Sequence, residues 1–277
     1  MIQQLTITVL VENTAGGKGL LGEHGLSILV EADTYKLLFD TGQGNTLNHN
    51  ARQLGINLHD IDAIALSHGH YDHTGGLPSI LKITQNPVLY LHPAAITPKY
   101  SPRGEIGSPI QDENILTTHT SKIVWTETPT EIIPGMGLTG TIPRHHPLED
   151  TGGDFWIDAN HQTIDTLPDD QALFIQTPPG LVVILGCAHS GTINTLDYIA
   201  QICPQDKIYA VIGGMHLLKA NPERLEATAA QLKHYQVQLL GANHCTGINA
   251  IAHLWHHLGC SIDVRVGTRL QFGTNTP

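Results

Sequence analysis

Residues 67–76 read Ser-His-Gly-His-Tyr-Asp-His-Thr-Gly-Gly and concentrate potential metal ligands in a short segment. Four such ligands fall within six positions: His68, His70, Asp72 and His73. Imidazole nitrogen suits zinc and related divalent metals, and carboxylate also suits harder ions. The segment therefore predicts a binding site for one or two divalent transition-metal ions, with zinc as the first choice and manganese or iron as alternatives.

The flanks of this motif indicate how it is held. An apolar run over residues 62–67 predicts a strand, and residues 74–83 predict a helix. Extended backbone places residues i and i+2 on one side, so His68 and His70 can share one ion. Asp72 and His73 then point elsewhere and can hold a second ion.

Composition restricts the class of protein. The chain has 277 residues and 40% apolar residues, which is enough for a sizeable core. Its 18 histidines outnumber its 14 lysines and arginines, and its formal net charge is −11. An acidic surface repels nucleic acid and anionic membranes, so neither is an expected partner. Bound divalent cations would still attract a small anionic substrate.

Cysteine spacing and hydropathy point to a cytoplasmic protein. The four cysteines form no C-x-x-C pair and suggest no disulfide framework. The N-terminus lacks the basic region and cleavage site of a signal peptide, and no apolar run approaches the roughly 20 residues that span a bilayer. The sequence gives no indication of oligomeric state.

Strands and helices can be predicted along both halves of the chain. Predicted strands cover residues 5–12, 25–31, 35–39, 62–67, 87–91, 122–126, 172–176, 181–185, 207–212, 262–265 and 269–272. Further helices are predicted from residue 193, from Pro222 after an Asn221 cap, and over residues 248–258 before Gly259. Residues 94–168 lack a clear pattern and predict an irregular wall or lid over the site, within one domain spanning residues 1–277.

The histidine motif resembles the H-x-H-x-D-H signature of the metallo-β-lactamase superfamily. Phe39-Asp40-Thr41-Gly42 matches the family's early Asp-x-Gly, and His244 falls where the family has its last ligand histidine. The resemblance covers nearly the whole chain. It implies an α/β fold, a four-layer αββα sandwich with the metal site at the shared edge of two sheets.

One branch of that superfamily is more similar still. The shared motifs are Glu-His-Gly-Leu-Ser at 23–27, Gly-Thr-Ile-Pro-Arg at 140–144, Gly-Cys-Ala-His at 186–189, Gly-Gly-Met-His-Leu at 213–217 and His-Cys-Thr-Gly at 244–247. This branch is related to a synthase of a ribofuranosylaminobenzene-phosphate pterin precursor.

The resemblance implies a ligand set with two departures. His68, His70 and His189 would hold the first ion, and Asp72, His73 and His244 the second. Cys187 replaces the usual bridging aspartate, and His189 takes the place of a middle histidine that no residue clearly provides. Asp40 is expected to support the histidine loop, and Cys245 is expected to point away from the site and be buried.

Further residues are assigned by their position along the chain. Asp72 could orient a metal-activated hydroxide, His216 could donate a proton or bind substrate, and Arg144 could bind an anionic group. His253 and His257 share a helix face at i, i+4, which could chelate metal but favours a solvated surface.

Three functions are weighed. The leading prediction is a metal-dependent hydrolase that uses a metal-activated hydroxide on a small phosphoester or ester. The first alternative is a metal-dependent transferase or synthase acting on a phosphorylated pterin- or ribose-type metabolite. The second alternative is a metal- or ligand-binding protein without turnover.

Overall fold

The computed structural model describes residues 1–203, 205 and 207–273. Its strands are β1 (Gln4–Val11), β2 (Ser27–Ala32), β3 (Tyr35–Phe39), β4 (Ala63–Ala65), β5 (Val88–Leu91), β6 (Tyr100–Ser101), β7 (Gly104–Glu105), β8 (Lys122–Trp125), β9 (Thr130–Ile133), β10 (Met136–Leu138), β11 (Leu173–Thr177), β12 (Gly180–Leu185), β13 (Ile208–Gly214), β14 (Leu239–Asn243) and β15 (Arg269–Gly273). Its α-helices are α1 (Leu47–Gln53), α2 (Tyr71–Thr74), α3 (Leu77–Ile83), α4 (Glu113–Thr118), α5 (Thr192–Ile202), α6 (Pro222–His234) and α7 (Ile248–Leu258). Short 3₁₀ helices cover Leu58–Asp60, Pro93–Ile96 and His244–Thr246.

Two large sheets form the centre of the molecule. The first has the strand order β15-β1-β2-β3-β4-β5-β8, and the second has the order β14-β13-β12-β11-β10-β9. The strands β3, β4, β5 and β8 run parallel in the first sheet, as do β12, β13 and β14 in the second. Parallel strands end at the same edge of their sheet, and this edge carries the loops described below.

Side-chain alternation explains why the sheets pack face to face. In β12, Val182 and Ile184 enter the core between the sheets, while Val183 faces the helices on the other side. In β3, Leu37 faces the shared core and Leu38 faces the opposite layer. Successive side chains of a strand point to opposite faces, so these all-apolar strands are covered on both faces.

Helices cover the two outer faces. Helices α1, α3 and α4 contribute buried leucines and isoleucines to the core outside the first sheet. Helices α5, α6 and α7 do the same outside the second sheet. The four-layer αββα sandwich predicted from the sequence is confirmed.

Some of the predicted strands and helices are confirmed and others are not. The strands predicted over residues 172–176 and 181–185 form a hairpin, in which residues 177–180 join β11 to β12. Asn221 caps α6 by accepting the Arg224 N–H at 2.8 Å. The helix predicted over residues 74–83 begins only at Leu77, as α3, and Thr74 ends the separate helix α2. Residues 262–265 form no strand. None of the helices in the described ranges is long and apolar enough to cross a membrane.

The region predicted as irregular is more regular than expected. Residues 122–138 supply β8 to the first sheet and β9 and β10 to the second. The segment without strand or helix is shorter and covers residues 139–172. Weak alternation in these short strands, several of them only half-buried, explains why the sequence does not reveal them.

Candidate metal centre

The candidate ligands meet where parallel strands end. His68 follows β4, and Cys187, His216 and His244 follow β12, β13 and β14. Asp40, Ala188, His216 and His244, each just after a strand, have positive φ angles of 61°, 52°, 47° and 49°. Such left-handed backbone costs free energy for residues other than glycine and is concentrated at functional sites. The strained strand ends turn the side chains toward one place.

Three histidines form the first group of this centre. The Nε2 atom of His68 lies 3.0 Å from Nδ1 of His70. The ring centroid of His189 lies 4.8 Å from that of His68 and 4.9 Å from that of His70. Gly69 lets the loop bend, because a Cβ there would come within 2.3 Å of the Ala95 carbonyl oxygen.

A second group adjoins the first. His73 Nε2 lies 3.2 Å from His244 Nε2 and 3.2 Å from Cys187 Sγ. Asp72 Oδ2 lies 3.4 Å from His244 Nε2 and 3.8 Å from His73 Nε2. Cys187 connects the groups, since its Sγ also lies within 4.8 Å of ligand atoms of His68 and His189.

Hydrogen bonds fix the tautomers of the imidazoles. His73 Nδ1 donates to Asp40 Oδ2 at 2.7 Å, His244 Nδ1 to Asn13 Oδ1 at 2.9 Å, and His189 Nδ1 to the Thr151 carbonyl at 2.7 Å. The single Ser67 hydroxyl proton goes to Asp40 at 2.6 Å, so Ser67 Oγ accepts the Nδ1–H of His68 at 2.9 Å. In its neutral form, each of these four rings therefore keeps its Nε2 lone pair for another partner.

Burial sets the protonation of the first group. Burial, with smaller contributions from neighbouring imidazoles, holds the pKa values of His68 and His189 well below the usual range. Burial also lowers the pKa of His70 to about 3. Neutral imidazole is the form that binds metal ions.

The second group favours positive charge. Burial lowers the pKa of His73, but the carboxylates of Asp40 and Asp72 outweigh this effect and raise it to about 9. Burial raises the pKa of Asp72, but His73 and His244 bring it below its usual range. A cation among these residues is therefore stabilised by the surrounding charge.

The donor set fits divalent metal. His70 Nε2 and His189 Nε2 are buried and lack a hydrogen-bond partner within the described part of the chain. Nitrogen ligands about 2.0–2.1 Å from a tetrahedral zinc lie about 3.4 Å apart, close to the separations of His73, His244 and Asp72 in the second group. Outer hydrogen bonds such as those of His68, His73, His189 and His244 are the usual accompaniment of metal ligands.

Cys245 lies in the site, against expectation. Its Sγ forms a compact group with Cys187 and His216, in which the ligand atoms all lie within 4.8 Å of one another. The residue is half-buried, not fully buried. Burial raises the pKa of Cys245, but contacts with Cys187 and His216 bring it well below its usual range. The left-handed backbone of His244 rotates the following residue toward the centre, which sequence alone does not show.

His216 packs against His189, and Arg144 lies near Asp170, which bonds the backbone beside His189. The His216 ring centroid is 4.3 Å from that of His189, and its buried Nδ1 has no partner among the described residues. Arg144 is half-buried and donates from Nη2 to the Leu167 carbonyl at 3.2 Å. Its charge helps to lower the pKa of Asp170, which burial raises to about 6. Asp170 in turn accepts the Ser190 N–H at 2.8 Å.

A buried ion-pair cluster behind the histidine loop was not predicted. Lys99, fully buried, lies 2.8 Å from Asp165 Oδ2 and 3.0 Å from Asp169 Oδ1. The other Asp169 oxygen accepts the Gly69 N–H at 2.7 Å. The cluster ties residues 139–172 to the backbone between the first two histidines. A lone lysine in a polar loop carries no sequence signal of burial.

Glu149 makes a second contact that connects residues 139–172 to the elements around the centre. Its carboxylate accepts the N–H groups of Ile193 and Asn194 at 2.9 and 2.8 Å, at the start of α5. Helix α5 begins after Gly191 without a side-chain cap of its own, so Glu149 supplies the cap from a distant loop. This contact holds the segment beside Thr151, which orients His189.

Known proteins are similar to this chain over most of its length. The model of the metallo-β-lactamase superfamily matches residues 21–161. The chain is 30% identical to 7,8-dihydropterin-6-methyl-4-(beta-D-ribofuranosyl)-aminobenzene-5'-phosphate synthase of Methanocaldococcus jannaschii, over 90% of each chain. It is 32% identical to an uncharacterized protein of the same organism, over 90% of this chain and 93% of the other.

A solved structure shows the same fold. Tm1679, described as a metal-dependent hydrolase of the β-lactamase superfamily, superposes with a TM-score of 0.83 at 32% identity, over 96% of this chain and 98% of that one. Matches of this extent reach far beyond the histidine motif. The chain belongs to the metallo-β-lactamase superfamily.

Proposed function

We propose that this chain is a metal-dependent hydrolase that cleaves a small anionic phosphoester or ester at the centre between the two sheets. The observation that carries the proposal is the pair of adjoining ligand groups, in which His68, His73, His189 and His244 have Nδ1 held by outer hydrogen bonds and Nε2 free to bind another partner. A structural cluster of histidines would have no need to keep buried Nε2 atoms without partners.

Each residue has a proposed role. The first group, His68, His70 and His189, and the second group, Asp72, His73 and His244, hold the metal. A divalent cation there supplies Lewis-acid polarisation and lowers the pKa of water toward neutrality. Cys187 lies between the groups, and burial raises the pKa of its thiol, so a bound cation would be what brings it to the thiolate that supplies the shared negative charge.

Substrate-side roles fall to residues on the His189 side. His216 has a partly exposed ring and can donate a proton to a leaving oxygen. Arg144 is proposed to contact a phosphate or carboxylate, supported by its position near Asp170, which bonds the backbone beside His189. Asp72, between His73 and His244, can accept a hydrogen bond from the attacking water.

The test is metal content and turnover measured together. Wild-type protein and His68→Ala are purified, their metal per chain is measured by plasma mass spectrometry, and hydrolysis of bis(p-nitrophenyl) phosphate and of p-nitrophenyl esters is followed. We expect about two equivalents of metal and metal-dependent turnover in the wild type, with both reduced in the variant. The exposed His59 provides a control, His59→Ala, which should match the wild type. Full activity after removal of metal would overturn the proposal.

A second candidate is a metal-dependent synthase or transferase acting on a phosphorylated pterin- or ribose-type metabolite. It is favoured by the 30% identity to the synthase over 90% of both chains. Incubation with a dihydropterin whose 6-methyl carbon carries a phosphate-type leaving group, together with a ribofuranosylaminobenzene phosphate, followed by mass spectrometry, separates the two functions, because the new bond to the methyl carbon forms as the phosphate group leaves. A joined product supports the synthase, and loss of phosphate or ester alone supports the hydrolase.

A further inference from the structure

A second cluster of metal-binding side chains lies outside the centre, between α6 and α7. These helices pack together on the outer face of the second sheet. Glu226 projects from α6, and His253 and His257 project from one face of α7, four residues apart. None of the three contributes to the centre between the sheets.

Their geometry matches a ligand set. The Nε2 atoms of His253 and His257 lie 3.5 and 3.6 Å from the same carboxylate oxygen, Glu226 Oε1. All three ligand atoms lie within 4.8 Å of one another. Ligands of a tetrahedral zinc at about 2.0–2.1 Å are separated by about 3.4 Å. A small inward rotation of side chains is enough to surround an ion.

The tautomer of His257 shows which atom is available. Its Nδ1 lies 2.8 Å from the His253 carbonyl oxygen, which can only accept, so Nδ1 carries the proton. In the neutral His257 ring, the Nε2 lone pair therefore faces the Glu226 carboxylate oxygen, and these two hydrogen-bond acceptors repel each other. A cation bound between His257 Nε2 and the carboxylate removes this repulsion. This outer hydrogen bond is also the arrangement that orients a metal-binding histidine.

His253 gives independent support. Its Nε2 is buried and has no hydrogen-bond partner among the described residues. Its ring stacks on that of His257 with centroids 4.1 Å apart, which brings two imidazoles of potentially like charge together. Protonating both rings would place two positive charges against one carboxylate. A single divalent ion instead satisfies both lone pairs and the carboxylate.

We propose that Glu226, His253 and His257 form a separate binding site for a divalent transition metal, with zinc the preferred ion. Two imidazoles and one carboxylate fill three positions and leave the fourth for water. The side chains are 60%, 20% and 30% exposed, so the ion enters directly from solvent. The ion links α6, which follows the His216 loop, to α7, which follows the His244 loop.

The experiment uses the full-length protein with its metal centre already loaded. Wild type, Glu226→Gln, His257→Gln and the control His256→Gln are equilibrated at buffered free zinc concentrations. His256 is an exposed neighbour on the same helix and lies outside the ligand set. Zinc per chain is measured by plasma mass spectrometry. We expect wild type and His256→Gln to bind one equivalent more than Glu226→Gln and His257→Gln.

Thermal unfolding provides a second readout that does not depend on activity. Since zinc binds the folded helix pair, added zinc should raise the Tm of wild type and His256→Gln and leave that of the other two variants unchanged. Turnover by the loaded centre should be the same in all four proteins, which also shows that each variant folds. Equal zinc stoichiometry and equal zinc-induced Tm shifts in all four would overturn the proposal.

Discussion

Asp40 Oδ2 accepts the Nδ1–H of His73 at 2.7 Å, while its Oδ1 accepts the Ser67 N–H at 2.7 Å. One buried carboxylate therefore holds both ends of the histidine motif. An amide cannot replace both acceptors, so Asp40→Asn should lower metal affinity by about 10–100-fold. Competition with a chromogenic chelator measures the change.

The control for this prediction is Asp263→Asn. Asp263 is exposed, pairs with Arg265 and has no contact with the centre. Its metal affinity should equal that of the wild type. An Asp40→Asn protein with unchanged affinity would show that His73 is not oriented by this bond.

Cys187 should determine how many ions bind. Its Sγ belongs to both ligand groups, so Cys187→Ala should lose about one equivalent of metal, whereas Cys187→Asp should keep it. With cobalt in place of the native metal, thiolate-to-cobalt charge transfer should appear in the wild type and vanish in both variants. A thiolate-to-cobalt charge-transfer band that persists in Cys187→Asp would instead identify Cys245 as the thiolate ligand.

His216 should act on chemistry more than on metal binding. Its ring packs against His189 and against Gly152, where a Cβ would approach the ring to 1.9 Å. His216→Asn should lower kcat about 10²–10⁴-fold if the ring donates a proton. Metal content should stay at the wild-type value. A change in KM alone would assign His216 to substrate binding only.

Lys99→Met tests the buried ion-pair cluster. Removal of the ammonium leaves Asp165 and Asp169 buried without their partner, which costs about 3–5 kcal/mol. Urea unfolding at neutral pH measures the loss. Lys99→Arg keeps the charge and is the matched comparison, although its larger head must fit a fully buried position.

Low pH should reduce the difference in unfolding free energy between wild type and Lys99→Met. Burial raises the pKa of Asp169, but Lys99 outweighs burial and holds it below its usual value of 3.8. A depressed pKa contributes stability that is present above pH 3.8 and is lost as pH falls through the folded-state value. The difference in the free energy of unfolding between wild type and Lys99→Met should therefore become smaller as the pH falls below 3.8. A difference independent of pH would mean that the lost stability comes from packing alone.

Much of the fold and the central candidate ligands are predictable from sequence because both depend on local pattern. The β3 strand, residues 35–39, and the cap at Asn221 follow from alternation and capping chemistry. The ligand spacing around His68 is equally local. His189 and His244 required the family resemblance, since a lone histidine after a strand has no pattern of its own.

The parts of the candidate site that the sequence did not predict depend on contacts between residues far apart in the chain. Lys99 reaches Asp165 and Asp169 across 66 and 70 positions, and no periodicity marks such a pair. The direction of Cys245 depends on the left-handed backbone of His244. Backbone strain of this kind follows from the assembled site, not from residue preference.

The Lys99 cluster also constrains how the substrate range of this protein could be changed. Residues 139–172 carry Arg144, which makes this segment an obvious unit to exchange between relatives. Yet Asp169 within it bonds the Gly69 N–H and pairs with Lys99 on another loop. A grafted loop would have to bring a matching cation partner with it. Exchange of this segment without a cation partner for Asp169 would therefore disturb the contact that holds the histidine motif, whatever the segment contributes to substrate choice.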